Sequence, residues 1–377
     1  MKVLRIALAC ALCIYVPFAA ADSVTLYGNL DTGLEYVSHV GANGNNLFRM
    51  PGVTASLPSF WGFKGVENLG AGYSAEFTLE SGFDVRSGVL GQGGRLFGRQ
   101  AWVGLNTPYG RFAFGRQYTA LYYALFSNDV IGPSIYSAGS LDAYLASARS
   151  DNTVSYLWSA SDFTVAGTYS FGRDSTGTGN TPGQGTCVGE NAASFTQCTQ
   201  WSAIAKYTGP SFGVIVAYDE QHGGPGAYAN FFDGIAPEPL SVGADVDRHL
   251  LASGYVNVAK LIFSAGWISR TVDFSKMVPS TVRTDLWFAG TSWTVAPDII
   301  WATQVYRIVN AEHDTRATLV TTRATYQLSK ASAVYVQVGY LANSAHAAYS
   351  VSTGGGGTTP LPGTNQTGAM LGIRHFF

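Results

Sequence analysis

Along most of this chain apolar and polar residues alternate with a period of two, in segments of roughly ten residues, so each segment has one apolar and one wet face. In VTLYGNLDTGLEY, Val24, Leu26, Leu30 and Leu34 share one face while Thr25, Tyr27, Asn29, Asp31 and Glu35 take the other. YSAEFTLE sets Ala75, Phe77 and Leu79 against Glu76, Thr78 and Glu80. AVYVQVGY sets Val334, Val336, Val338 and Tyr340 against Tyr335, Gln337 and Gly339. Period two is the signature of strands, and the apolar faces are regularly tipped with Trp and Tyr.

The links between these segments alternate in length. Short turn-like links (GVENLGAG, NTPYG, SASD, TGPS, NVAK, TVAPD, LSKAS) follow every second strand. Longer Gly, Ser, Asn and Thr-rich links fall near 39–50, 86–95, 119–148, 173–199, 222–246, 273–281, 310–315 and 343–365. Seven short and eight long links connect about sixteen strands, an even number that puts both chain ends on the short-turn side.

Composition explains what such strands are for. Only 12% of residues are charged, against 45 glycines and 13% aromatics, whereas a soluble domain carries about a quarter charged residues. After Ala21 nothing approaches the ~20 consecutive apolar residues of a spanning helix. Helices and closed barrels are the two structures that satisfy every backbone group in a bilayer, so the expectation is an all-β transmembrane antiparallel barrel.

The chain opens with Lys2 and Arg5, then an apolar stretch from Ile6 to Phe18, then Ala19, Ala20 and Ala21. This order predicts a secretory signal peptide over 1–21 and a barrel domain over 22–377. Cys10 and Cys13 leave with the signal, and without Lys2 and Arg5 the remainder holds 20 basic against 24 acidic residues. That balance gives no sign of nucleic-acid binding. Cys187 and Cys198 remain, and an oxidising compartment favours a disulfide between them over two free thiols.

Catalytic chemistry is not apparent. His39, His222, His249, His313, His346 and His375 are scattered, with no metal-ligand spacing, and no GxSxG elbow occurs. The glycines of STGGGGTTPLPGTNQ lack the Lys and Ser or Thr of a P-loop. We therefore expect no enzyme, no cofactor and no metal. A barrel enzyme on the rim, and an adhesin or receptor acting through the long loops around Cys187 and Tyr228, are the competing readings.

Residues 59–118, from SFWGFKGVENLG to RFAFGRQY, together with SVTLYGNLDTGLEY, ARSDNTVSYLW and the ending GIRHFF, strongly resemble the general porins of Gram-negative outer membranes, especially those of β-proteobacteria. The resemblance implies an outer-membrane protein with a sixteen-stranded barrel, usually a homotrimer, forming a water-filled channel for passive diffusion of small hydrophilic solutes and ions. Its third long loop, here 119–148, folds inward and narrows the pore. Such a protein lies among lipid and lipopolysaccharide and is inserted by the barrel assembly machinery.

Carried over position by position, Lys64, Arg99 and Arg149 look like the basic wall of the constriction and Asp129 like its acidic loop partner. Phe60 stands where many members have Arg, and Gly132, Pro133 and Ser134 stand where a second acidic residue is common; Asp142 is the candidate replacement. Period two independently places Lys64 opposite Trp61 and Phe63, Arg99 opposite Trp102, and Arg149 opposite Val154, Tyr156 and Trp158. All three cations would then face the lumen. With one cation and one anion missing from the usual field, the expected anion preference is modest.

Two further expectations follow. TGAMLGIRHFF aligns Leu371, Ile373, His375 and Phe377 on one face, and the resemblance makes Phe377 the assembly signal. Arg116 shares its phase with the outward Phe112 and Phe114, where an isolated cation in lipid would cost about 2 to 4 kcal/mol near the midplane. It is therefore expected near a subunit interface, paired with a carboxylate of a neighbour's second long loop, with Asp84 the nearest candidate.

Overall fold

The computed structural model describes residues 23–179, 183–275, 280–352 and 356–377. The expected signal segment lies outside them. The wall begins with β1 (Ser23–Val40), β2 (Asn45–Arg49), β3 (Phe60–Gly70), β4 (Tyr73–Gly82), β5 (Gln100–Thr107) and β6 (Gly110–Tyr118). After the third long loop come β7 (Arg149–Ala160), β8 (Phe163–Ser170), β9 (Gln200–Thr208) and β10 (Phe212–His222). A short ribbon, β11 (Tyr228–Ala229) with β12 (Glu238–Pro239), lies in the next loop. The wall resumes with β13 (Val246–Val258), β14 (Leu261–Phe274), β15 (Ser280–Ala296), β16 (Ile299–Asn310), β17 (Thr315–Gln327), β18 (Ser332–Asn343) and β19 (Gln366–Phe376).

Each wall strand pairs antiparallel with the next, and β1 pairs with β19, so the sheet closes. β2 and β3 lie against successive parts of β1 and together make one stave, giving a 16-strand barrel. The break between them is longer than the alternation indicates: after a tight turn at 41–44 and β2, the chain runs irregularly to residue 59. The seven short links all appear as turns between wall strands. At the seam, Phe377 exchanges backbone hydrogen bonds with Gly28 at 3.0 and 3.2 Å, so the last residue fastens the final strand to the first.

The outward phase is apolar and exposed, as lipid requires: Val103, Leu105, Phe112, Phe114, Val214, Val216, Val336 and Leu371 all point out. Tyr73, Trp158, Phe163, Phe212 and Tyr326 stand beside the short turns, an aromatic girdle at one interface. Among the described residues no helix is long and apolar enough to cross a membrane. Cys187 and Cys198 form the expected disulfide, stapling the fourth long loop.

The interior is not uniformly wet. Ile215, Leu251, Ile268, Leu286, Phe288, Ile308 and Leu319 occupy the inward phase of β10 and β13–β17 and are buried against Leu121, Leu125, Ile135, Tyr136, Leu141 and Tyr144 of the third loop. Each buried Leu or Ile contributes about 1.5–3 kcal/mol relative to exposure. The third loop thus carries a compact core inside the barrel, and the open lumen is left between it and the opposite wall.

Candidate functional site

The third loop leaves the wall at Tyr118. Thr119 has extended backbone and its Oγ1 accepts from Tyr122 N at 3.4 Å, which caps helix α1 (Ala120–Asn128). The helix packs on β9, β10 and β13, and Asn128 Nδ2 donates to Ser253 Oγ at 2.8 Å. Beyond α1 the loop is bonded to the wall at successive points. Val130 N donates to Gln304 at 3.0 Å, Gln337 Nε2 donates to Ser134 Oγ at 2.6 Å, and Thr321 Oγ1 donates to the Tyr136 carbonyl at 2.9 Å. Gly339 and Gly368 admit the Tyr136 ring, which a Cβ at 368 would meet at 2.7 Å.

The two loop carboxylates are part of this anchorage. Asp129 accepts from Tyr306 Oη at 2.8 Å and from the backbone of Ile131 and Gly132 at 2.9 and 3.0 Å. Burial pushes its carboxyl up to about 6, against the pull of those donors. Asp142 meets Arg270 at 3.3 Å and His249 at 3.2 Å. Burial would raise it, but Arg270 and His249 hold it below the usual carboxylate range. Neither aspartate faces Lys64, Arg99 or Arg149 across open space. That expectation is corrected: both carboxylates fold onto the wall that carries the loop, because a buried carboxylate needs its donors close.

On the opposite wall Phe60, Arg99 and Arg149 are brought together. Arg99 lies over Phe60 at 4.3 Å and beside Tyr118 at 5.7 Å, and Arg149 lies over the other side of this cluster, 4.5 Å from Tyr118. Tyr118 stacks on Tyr122 of α1 at 3.9 Å, so the loop itself locks the cluster. Glu80 approaches Arg99 at 3.4 Å and accepts from Tyr27 Oη at 2.8 Å. Lys64 stands apart and exposed, over Tyr27 at 5.0 Å. Phe60 fills the position of a cation by stacking under one.

At two of these residues the fold departs from plain alternation. Trp102 faces the lumen with Gln100, and Val103 faces lipid; Arg99 reaches the lumen because it sits in a bend before β5 starts at Gln100. In β7, Asn152 takes φ +48° and the pairing with β6 shifts between Gly115 and Gln117. This bulge puts Ser150 opposite Gln117 and places Asp151 alongside Arg116. Arg149 points inward because the strand end turns into the loop.

Arg116 therefore needs no neighbour's carboxylate. Its Nη1 meets Asp151 Oδ1 at 2.5 Å and its Nε donates to the Gly98 carbonyl at 2.8 Å, and it is buried by its own chain. Asp151 also takes Arg95 at 3.0 Å, and Arg95 pairs with Asp174, joining the second and fourth long loops. Asp84 is occupied by Arg86 at 2.8 Å.

Several lumenal cations escaped the sequence reading. Arg323 opposes Gln337, Arg374 opposes Asp31, Arg111 opposes Leu157 and Lys206 opposes Ile215, all on inward positions. Plain alternation in TTRATYQ and GIRHFF could have found Arg323 and Arg374. Asp31 is committed to Tyr335, Ser56 and Leu57 N at 2.7, 2.5 and 2.8 Å. The accessible charge of the lumen is thus mainly positive. Among the described residues no cluster could hold a metal.

The comparisons with known proteins agree with this architecture. A family model described as "Gram-negative porin" matches residues 7–346. Outer membrane porin protein 32 of Delftia acidovorans is 28% identical over 95% of each chain. An outer membrane porin protein of Bordetella pertussis is 36% identical over 36% of this chain, a stretch that spans only 39% of that protein. Among solved structures, an anion-selective porin from Comamonas acidovorans superposes with a TM-score of 0.74 at 22% identity, covering 94% of this chain and 99% of that one. OmpT of Vibrio cholerae gives 0.65 at 15% identity, covering 94% and 97%. With a closed 16-strand barrel, an inward third loop and a match over most of its length, this chain belongs to the Gram-negative porin family, the channel proteins of the outer membrane.

Proposed function

We propose that the protein is a general diffusion channel, passing small hydrophilic solutes and ions without catalysis, with a modest preference for anions. The observation that carries the sign is the inventory of lumenal charge. Lys64, Lys206, Arg323 and Arg374 point inward, while Asp31, Asp129 and Asp142 are buried in bonds to the protein. A unit charge about 5 Å from a passing ion in water is worth about 0.8 kcal/mol before screening. A handful of such charges biases passage several-fold and holds nothing tightly, which suits a solute that must leave as easily as it enters.

The trimer form of Vibrio cholerae OmpT shares the fold at 16% identity, and we infer a homotrimer here as well, set in lipid and lipopolysaccharide and assembled by the barrel machinery with Phe377 as its address. The pocket that the long loops form around Gly185, Thr186, Tyr228 and Pro237 has no charged residue in its lining, so an adhesin role has less support than the channel. Swelling of liposomes holding the purified protein tests diffusion directly. Neutral sugars should enter at rates that fall smoothly with size; no entry of even the smallest sugar would sink the channel reading.

A further inference from the structure

We propose that the vestibule on the short-turn side of α1 holds a low-affinity subsite for small aromatic carboxylates, built from Trp102, Tyr123, Arg111 and Lys206. The proposal rests on the channel reading and names a solute class for it. A cavity of about 450 Å³ lies there between α1 and the inner face of β4–β9. Ligand pockets begin at about 300 Å³, so the space suits one ring with its substituents.

Its lining combines aromatic and cationic side chains. Trp102 occupies an inward position beside Gln100. Its indole is held in place, Nε1 donating to Gln100 Oε1 at 3.0 Å and Arg111 lying 5.1 Å from the ring. Tyr123 projects from α1 and is 47% exposed. Tyr123 and the partly exposed Trp102 thus line an aqueous space that Arg111, Tyr118 and Tyr122 cover only in part, a poor use of apolar surface unless a solute covers the rest.

The cations have donors to spare. Among the described residues the Arg111 Nε has no hydrogen-bond partner, and Glu76 Oε1 approaches it to 3.7 Å. Among the described residues Lys206 Nζ reaches only Ser127 Oγ, at 3.5 Å. Two cations against one distant carboxylate favour an anion, and a guanidinium beside an ammonium fits a carboxylate. A neutral sugar would use the aromatic faces and leave both charges unanswered. A simple ion would use the charges and leave the rings bare. An aromatic carboxylate uses both.

The test is single-channel current with benzoate, cyclohexanecarboxylate and benzamide added to the bath. Benzoate should reduce the current with half-effect on the order of millimolar. Cyclohexanecarboxylate, with the same charge and no aromatic face, should need about threefold to tenfold more, and neutral benzamide more again. Trp102→Leu should bring the two acids together. Lys206→Gln should weaken both acids, and it decides the matter if the Trp102 variant fails to insert. Equal block by the two acids in the native protein, or unchanged benzoate block in Trp102→Leu, would overturn the subsite. Absence of any conductance would overturn the channel reading instead.

Discussion

Asp129 shows how far a single residue can depart from the role its sequence position suggests. The sequence places it correctly in the third loop, but alternation says nothing about a loop side chain, and only the folded chain aims it at Tyr306. Because burial lifts its carboxyl to about 6, it is charged at pH 7 and gains a proton as pH falls through that value. Losing a negative charge makes the lumen more positive. Anion preference should therefore rise between pH 7 and pH 5, and Asp129→Asn should remove that component of the pH dependence; an identical pH profile in the variant would refute it. Arg116 and Asp151 allow a second prediction at this scale. Breaking a buried pair strands its partner, at a cost of about 3–5 kcal/mol. Asp151→Ala strands the Arg116 guanidinium and leaves Arg95 with Asp174, whereas Arg116→Ala leaves Asp151 with Arg95. The aspartate variant should lower the unfolding temperature more than the arginine variant, and the reverse order would contradict the network.

At the scale of elements, the alternation revealed nearly every wall strand and all seven turns, because lipid on one face and water on the other impose period two. It failed where that contrast disappears. In GVIVAY, Val214 and Val216 face lipid while Ile215 and Ala217 face the third loop, so both phases are apolar. Such doubly apolar strands report where a loop packs inside, a signal present in the sequence. The bulge at Asn152 left no comparable trace, since positive φ at Asn is a local choice made in context. The disulfide closes a short segment of the fourth loop, whose chain is tied to the second by Arg95 and Asp174. Replacing both cysteines with serine should speed protease nicking between residues 183 and 199 without altering conductance. Unchanged nicking would mean that the loop's other contacts suffice. At the seam, deleting Phe377 removes both backbone bonds to Gly28, and the yield of folded, heat-resistant protein should fall; normal assembly would remove the assignment.

For the whole molecule, closure of the sheet fixes which charges meet in the lumen, and this is the part least visible in one dimension. Arg323 and Arg374 lie at the end of the chain and Lys64 near its start, yet the pairing of β1 with β19 brings their strands into one wall. The resemblance supplied Lys64, Arg99 and Arg149; it did not supply Arg323 or Arg374, and it assigned to Asp129 and Asp142 a field that the fold consumes in anchoring the loop. Phe60→Arg would add a cation beside Arg99 and should raise chloride over potassium permeability; an unchanged reversal potential would place Phe60 outside the constriction. The central claim is that accessible lumenal charge is net positive. It is tested most directly by the reversal potential of the native channel across a potassium chloride gradient, repeated with Lys64→Gln and Arg323→Gln combined. The account predicts a potential with the sign of faster chloride passage, moving toward zero in the double variant; a cation-selective native channel, or a potential indifferent to both substitutions, would contradict it.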